Sequence, residues 1–404
     1  MAADRGMDVR LVYLDNLKWV LIALIIAVHA ATAYGAVGAW FYVEPTLSPL
    51  AQTLVSVPSQ AGILFGLETF MLVAGLLTPP ALARKGPGKY LRDRLLRLGL
   101  PFVATVVMVV PAVYWLIIEV VGIPATFPDI LKYQMQHLET GPMWFVGVLL
   151  VFTLCYAGWR WMRPAGKTEA KPLEMRHLLI AAAVMGPLTF VVWLFFPLAS
   201  MQPFEANLWE WPQLAVPFAF GVLAGERGWL AQRPSALVRR TCLLAPLPFL
   251  AVWAWMLVTF KTSQPPYVSS LILGWHWQAA VLAVVWGVVA VGWSLAMVDL
   301  FRQFGTWSGR LVRALGRDSY AAYFLQAPVL VTLELVLRVF GWPGRGFGWP
   351  GEVKLAVSAP AGIVICFALA WAVRRAFAAA RKLRWRIPSS RPRVGQGLPH
   401  PPVV

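Results

Sequence analysis

Two ionisable residues lie inside long apolar stretches of the sequence. His29 stands in the stretch from Trp19 to Tyr34, and Glu68 stands in the run Phe-Gly-Leu-Glu-Thr-Phe-Met. An ionisable side chain within a membrane span is costly and is a functional candidate by default. A histidine can act as a general base when a second group, often a carboxylate, fixes its tautomer. We therefore take His29 and Glu68 as catalytic candidates, the alternative being a pair that only packs helices together.

The two candidates are predicted to lie at similar depths. With the N-terminus in the cytoplasm, a rise of about 1.5 Å per residue puts His29 ~20 Å above the cytoplasmic end of its helix. Glu68 is on the next predicted helix, which runs back toward the cytoplasm. The same rise per residue puts it ~16 Å above the cytoplasmic end of that helix. Asp15, Lys18 and His29 have spacings that project them from nearly one helix face. For Asp15 and Lys18, an ordinary interfacial ion pair is the simpler interpretation.

Two arginines precede the third apolar stretch. Arg94 and Arg97 are one turn apart on an α-helix, so two guanidinium groups can face one anion. Guanidinium groups suit phosphate, which they bind through paired hydrogen bonds. The competing interpretation is anchoring of the cytoplasmic face by positive charge.

A late apolar stretch begins with a group of polar side chains. These are Ser319, Tyr320, Tyr323 and Gln326. Such groups either line a cavity or join helices through hydrogen bonds.

A membrane-embedded helical bundle must position these residues. The 404 residues are 59% hydrophobic and only 13% charged, which is too little charge for the surface of a soluble domain of this length. Apolar stretches reach about 20 residues or more, enough to cross a hydrocarbon core of ~30 Å. We predict an all-α integral membrane protein with ten transmembrane helices. Their predicted ranges are 14–35, 53–79, 98–121, 143–162, 177–198, 211–228, 242–260, 275–299, 315–338 and 355–379.

The positive charges predict the orientation. If both termini are cytoplasmic, the inner segments hold 30 of the 35 lysines and arginines. That bias is the positive-inside signal of a multi-pass protein of the inner (plasma) membrane. The net charge of +17 is thereby explained as a topology signal, and a nucleic-acid partner is not expected.

The chain is predicted to form one transmembrane domain over residues 1–386. Residues 387–404 are basic and proline-rich, and we expect a disordered cytoplasmic tail. The three cysteines have no spacing typical of a disulfide framework or a metal site. A transporter or flippase for an envelope intermediate would also use intramembrane polar residues, although no internal repeat of the kind found in many transporters is evident.

Five short segments between residues 13 and 328 form an ordered set. They are Tyr13-Leu-Asp-Asn-Leu-Lys with His29, Gly66-Leu-Glu-Thr-Phe-Met-Leu-Val-Ala-Gly, Arg94-Leu-Leu-Arg, Met143-Trp-Phe-Val-Gly-Val-Leu-Leu and Ser319-Tyr-Ala-Ala-Tyr-Phe-Leu-Gln. In order and spacing they resemble the motifs of the acyltransferase-three family, bacterial transmembrane acyltransferases that modify sugars and cell-envelope polymers. Lys18, Ala74 and Gln326 stand where that family usually has Arg, Ser and His. The last departure leaves His29 as the histidine for a base role.

The resemblance implies transfer of an acyl group from cytoplasmic acyl-CoA, with acetyl-CoA as the expected donor substrate and no permanently bound cofactor or metal. Arg94 and Arg97, with Lys18, would lie near the donor phosphates. His29 would act as general base, oriented by Glu68, on a hydroxyl of a sugar, glycan or glycolipid. A transient acyl-histidine is an alternative. The expected cavity-lining residues are Asp15, Trp144, Ser319, Tyr320, Tyr323 and Gln326.

Overall fold

Helices make up most of the part of the chain that this computed structural model describes, which is residues 2–164, 170–197, 202, 205–260, 274–340 and 348–384. No β-strand occurs within these ranges, so the predicted all-α fold is confirmed. The α-helices are α1 Ala2–Ala33, α2 Pro49–Lys85, α3 Pro87–Arg94, α4 Leu100–Ala104, α5 Val110–Val121, α6 Phe127–His137, α7 Trp144–Met162, α8 Met175–Phe195, α9 Trp211–Arg227, α10 Ala236–Leu244, α11 Leu247–Phe260, α12 Trp277–Phe304, α13 Arg310–Phe340 and α14 Gly351–Arg384.

Eight helical segments in the described ranges are long and apolar enough to cross a membrane. They correspond to eight of the ten predicted spans. The other two predicted ranges, 211–228 and 242–260, hold shorter helices, namely α9 and the pair α10 and α11. Ten crossings and cytoplasmic termini stay predictions, and the predicted tail 387–404 lies outside the described residues.

Several helices are longer than their apolar stretches. The predicted span 53–79 lies within α2, which continues through a basic last turn to Lys85. Gly86, with φ +74°, ends this helix, because glycine adopts positive φ without a steric penalty. Pro87 then starts α3 at a position where its missing N–H costs no hydrogen bond.

Two π-helical turns interrupt the third predicted span. They cover Leu95–Gly99 and Thr105–Val109, and each is followed by a proline two residues later, Pro101 or Pro111. In the first, the Leu100 N–H donates to the Leu95 carbonyl oxygen, five residues back. A proline ring crowds the carbonyl four residues before it, and a wider turn relieves that crowding.

Small residues allow α2 and α9 to approach each other closely. α2 packs against α9 through Gly75 and Gly221. A Cβ atom at Gly75 would overlap the Phe218 carbonyl oxygen, and one at Gly221 would overlap the Leu72 carbonyl oxygen. Such contacts are typical of membrane helices, whose association depends on close backbone packing.

The first helix is central to the site. α1 packs against α2, α13 and α14. The chain after it folds back on the helix end, because the Glu44 N–H donates to the Ala33 carbonyl oxygen at 2.7 Å. Lys354 of α14 holds the same segment through an ion pair of 2.7 Å with Glu44. This return places Trp40 against His29.

Candidate active site

His29 is held by a residue from a distant part of the sequence. Its Nδ1 lies 3.0 Å from Oε1 of Gln326 on α13. Since Gln326 presents its carbonyl oxygen, Nδ1 carries the proton and donates, which leaves a lone pair on Nε2. No described residue forms a hydrogen bond with Nε2. The imidazole is therefore fixed in the tautomer that a general base requires.

Trp40 forms a wall beside the imidazole. The Trp40 and His29 rings are stacked, with centroids 4.5 Å apart and planes inclined by 22°. The indole N–H donates to Oε2 of Glu334 at 2.9 Å. Glu334 lies on α13, eight residues after Gln326, or about 12 Å farther along the helix axis. Trp40 therefore connects the histidine to a second buried polar residue.

Two buried polar atoms around this centre have no hydrogen-bond partner in the described part of the chain. They are Nε2 of Gln326 and Oε1 of Glu334, and both side chains are at most 1% exposed. The buried Tyr34 hydroxyl, just after the end of α1, lies beside Ser358 of α14. Most buried polar groups in proteins are paired, so such a concentration needs an explanation.

Glu68 belongs to a different group of residues. Its Oε1 accepts a hydrogen bond of 3.2 Å from the indole N–H of Trp286 on α12. No hydrogen bond or ion pair joins Glu68 to His29, although the structure describes both. The expectation that Glu68 orients His29 is corrected here, because Gln326 occupies that position. Similar depth on neighbouring helices did not bring the two side chains together.

The basic residues expected near the donor phosphates differ in whether a neighbouring side chain pairs with them. Lys18 forms an ion pair of 2.6 Å with Asp15, as the simpler interpretation of their spacing predicted. Arg94 is partly buried and its Nε donates to the Tyr90 hydroxyl at 3.0 Å. Arg97 is exposed, and no described residue pairs with it. The expected spacing of one α-helical turn between Arg94 and Arg97 is wrong, because Arg97 lies within the wider π-helical turn Leu95–Gly99.

The four polar residues near the start of the late apolar stretch have different environments. The Tyr323 hydroxyl donates to the Pro142 carbonyl oxygen, just before α7. Ser319 donates within its own helix, to the Gly316 carbonyl oxygen at 3.1 Å. Tyr320 is exposed, and of these four residues only Gln326 forms a hydrogen bond with His29.

Two other expected lining residues, Trp144 and Asp15, lie on α7 and α1. Trp144 begins α7 and packs edge-on against Phe145, with ring centroids 6.2 Å apart. Asp15 lies where α1 meets the start of α13, since a Cβ atom at Gly316 would be 3.1 Å from the Asp15 Cβ. Neither forms a hydrogen bond or a ring stack with His29 in the described part of the chain.

Sequence reasoning missed Trp40 and Glu334. Glu334 carried a usable signal, because it is an ionisable residue inside the predicted span 315–338 and is fully buried. Trp40 carried none, since it lies between two apolar stretches and reaches the site only through chain reversal.

Fold and site together define an integral membrane protein with an oriented histidine inside its helical bundle. The chain belongs to the acyltransferase-three family, because the profile of that family, described as an acyltransferase domain, matches residues 11–375. No curated protein and no solved structure matches it. The protein is accordingly a membrane acyltransferase.

Proposed function

We propose that this protein transfers an acyl group from cytoplasmic acyl-CoA, with acetyl-CoA as the donor, to a hydroxyl of a sugar or of a cell-envelope glycan or glycolipid. It would work in the inner membrane. The observation that carries the proposal is the free Nε2 of His29, opposite an Nδ1 that is bonded to Gln326 at 3.0 Å.

His29 would act as general base in this reaction. The hydroxyl proton of the acceptor moves to Nε2 while the hydroxyl oxygen attacks the thioester carbonyl carbon. The carbon–sulfur bond then breaks, and the proton leaves with the CoA sulfur as the free thiol. Gln326 keeps Nδ1 bonded throughout, so the ring does not turn as its charge changes. Glu68, anchored by Trp286, takes no step in this scheme.

Nucleophilic attack by the same Nε2 is the alternative pathway. It would form an acyl-histidine and release CoA before the acceptor reacts. The two pathways differ in whether a covalently acylated protein accumulates without acceptor. Rapid acid quenching followed by peptide mass spectrometry distinguishes them.

The donor phosphates would bind on the cytoplasmic side, beside Lys18 in the middle of α1 and the residues at and just after the end of α3. Arg97 offers an exposed guanidinium group without a protein partner in the described residues, and Arg94 lies beside Tyr90. Lys18 would contribute its charge from within the pair with Asp15. Each arginine can make paired hydrogen bonds to phosphate oxygens.

Replacing His29 tests the proposal directly. His29→Gln keeps a hydrogen-bonding side chain but removes the base, so acetyl transfer should fall by about 10²–10⁴-fold. The matched control is His177→Gln. His177 is also stacked on a tryptophan, Trp229, with centroids 4.3 Å apart and planes inclined by 26°. Its replacement should leave transfer unchanged in protein reconstituted into nanodiscs.

The contrary outcomes are distinct. Near-normal turnover by folded His29→Gln would contradict both the base and the acyl-histidine roles. A wild-type protein that neither hydrolyses nor transfers acetyl from acetyl-CoA, yet moves an envelope intermediate across vesicles, would indicate the transporter alternative.

A further inference from the structure

A cavity lies between α10 and the last turns of α12. Its volume is about 130 Å³, close to the ~150 Å³ of an apolar protein cavity that holds benzene. Apolar side chains form most of its wall, among them Leu230, Leu295 and Val298, and Tyr13 of α1 also reaches it. None of its lining residues takes part in the proposed acyl transfer, so the cavity needs an explanation of its own.

Arg239 is a charged residue of this cavity that lacks a partner. Asp299, on the opposite wall, accepts from Nε2 of Gln303 at 2.7 Å and pairs with Arg233 at 3.4 Å. Arg302 donates to a backbone carbonyl oxygen of the loop after α9 at 3.2 Å. Nε of Arg239, in contrast, is buried and has no hydrogen-bond partner in the described part of the chain. Because buried donors are normally paired, this one indicates an acceptor that the protein itself does not supply.

The mouth of the cavity is apolar and open. Leu243 of α10 and Phe304 at the end of α12 both line the cavity, and they are 50% and 66% exposed. Leu237 and Leu244 of α10 are exposed beside them. Contiguous exposed apolar side chains of this kind mark contact with a membrane. The cavity therefore opens toward lipid rather than toward water.

The position of the cavity favours an anionic lipid. α10 follows, and the end of α12 precedes, segments that the charge bias predicts to be cytoplasmic, and the cytoplasmic leaflet carries anionic lipids. A phospholipid offers phosphate oxygens to a guanidinium group and hydrocarbon to an apolar cavity. Free phosphate would leave the apolar wall uncovered. Phosphatidylcholine would add a cation among Arg239, Arg240 and Arg302.

We propose that this cavity binds one anionic phospholipid of the cytoplasmic leaflet. The phosphate accepts hydrogen bonds from Arg239, and the first part of one acyl chain enters between Leu243 and Phe304. The bound lipid joins α10 to α12 and contacts α1 at Tyr13. Binding requires no acyl transfer, so failure of the proposed function leaves the lipid site to be decided by its own measurements.

Native mass spectrometry measures the lipid that the full-length protein retains. The protein is released from nanodiscs that hold equal amounts of phosphatidylglycerol and phosphatidylcholine. The wild type should retain one phosphatidylglycerol. Arg239→Ala should bind it about 10–100-fold more weakly, as expected for loss of a charged hydrogen bond. Arg239→Lys should recover part of the binding, since lysine keeps the charge but cannot form paired hydrogen bonds.

Arg240→Ala is the matched control. Arg240 is the next residue of α10, is exposed and does not line the cavity. Its replacement removes the same charge from the same helix, and the lipid should be retained as in the wild type. Equal losses in Arg239→Ala and Arg240→Ala would indicate general attraction to a charged surface and would overturn the proposal. Full retention by Arg239→Ala would overturn it as well.

A second substitution tests the apolar part of the site. Ala296 lines the cavity and is buried. Ala296→Leu places a larger side chain in the space proposed for the acyl chain, so retention of phosphatidylglycerol should fall although Arg239 is intact. Unchanged retention in this variant would show that no acyl chain enters the cavity.

Thermal melting separates lipid binding from a structural role of Arg239. In nanodiscs of phosphatidylcholine alone, Arg239→Ala should melt at or above the wild-type temperature, because it removes a donor that has no partner. Phosphatidylglycerol should raise the melting temperature of the wild type and of Arg240→Ala, but not that of Arg239→Ala. Inorganic phosphate added to the phosphatidylcholine nanodiscs should not reproduce this rise. A rise with inorganic phosphate alone would identify a site for a free anion and would overturn the lipid assignment.

Discussion

Trp40 and His29 lie face to face, with ring centroids 4.5 Å apart and planes inclined by 22°. Trp40 comes from the segment between α1 and α2, whereas His29 lies within α1. The segment returns to the helix because the Glu44 N–H bonds the Ala33 carbonyl oxygen. A connection outside the long helices thus contributes a wall of the site.

Two substitutions of Trp40 separate the stacking from the hydrogen bond. Trp40→Phe keeps a ring over His29 but loses the donor to Glu334, and we expect acetyl transfer to fall by up to about tenfold, as for one net hydrogen bond. Trp40→Leu also loses the ring contact, worth about 0.5–1.5 kcal/mol, and should cost more. Steady-state kinetics in nanodiscs measures both. Equal activity of Trp40→Leu and wild type would contradict a role for the wall.

Gln326 should determine the tautomer of His29. Gln326→Leu removes the acceptor at Nδ1 and leaves either ring nitrogen free to carry the proton. We expect kcat to fall by about 10–100-fold with little change in the KM for acetyl-CoA, because the loss is in base catalysis. Gln326→His restores a residue that can accept from Nδ1 and should retain more activity than Gln326→Leu. The reverse order of these two variants would exclude the orienting role.

Glu68 should act independently of the histidine. Glu68→Gln keeps an oxygen that can accept from Trp286, so its effect on transfer should be smaller than that of Gln326→Leu. In the variant carrying both changes, the free-energy effects should add within about 0.5 kcal/mol, because the two residues share no partner. A double-mutant cycle on kcat measures the coupling. Strong non-additivity would restore the pairing of Glu68 with His29.

Arg94 and Arg97 should differ in what they contribute. Arg97→Ala removes an exposed guanidinium group and should weaken CoA binding by roughly 10–100-fold, as expected for loss of a charged hydrogen bond, without changing the melting temperature. Arg94→Ala also breaks the bond to the Tyr90 hydroxyl and should lower the melting temperature too.

Calorimetric titration with CoA measures the binding of these variants. The control is Arg163→Ala, which removes another exposed arginine, stacked on Trp159 at 4.8 Å. Unchanged CoA affinity in Arg97→Ala would show that Arg97 only anchors the membrane face.

Glu205 should make the turn before α7 sensitive to pH. It accepts from the Thr140 and Gly141 N–H groups at 3.0 and 3.3 Å. Burial raises the pKa of Glu205 above 4.5, and the negative charge of Glu139 raises the pKa further. The folded state therefore holds the Glu205 proton more tightly than the unfolded state does. Stability from this group is present below pH 4.5 and is lost as the pH rises through the raised pKa.

Glu205→Gln should reduce the fall in melting temperature that accompanies a rise in pH from 4.5 through the raised pKa of Glu205. Glutamine keeps an oxygen for both N–H groups but does not titrate. Glu119→Gln, at an exposed position near the end of α5, controls for the change of carboxylate to amide. The expectation fails if Glu205→Gln melts with the same pH dependence as the wild type.

Composition and the lengths of the apolar stretches alone predicted that this protein is an all-α membrane bundle, and they located the eight described helical segments that are long and apolar enough to cross a membrane. The reason is that the cost of burying an unpaired backbone in hydrocarbon leaves helices as the solution for long apolar stretches. Motif order likewise identified the family and placed His29 inside a span. The ends of the helices were harder to predict from the sequence. Gly86 and the two π-helical turns act through local backbone geometry, which hydrophobicity does not report.

Only the tertiary structure decided which side chain orients His29. The depths predicted from the sequence placed Glu68 and His29 at similar levels in the membrane. Depth fixes only one coordinate of a side chain. Contact also depends on the rotation of each helix and on which helices are neighbours. The rotation of α13 turns Gln326 toward His29, and α12 supplies Trp286 to Glu68. The return of the chain after α1 brought in Trp40. These choices follow from packing among residues as many as 297 positions apart, which no local pattern in the sequence records.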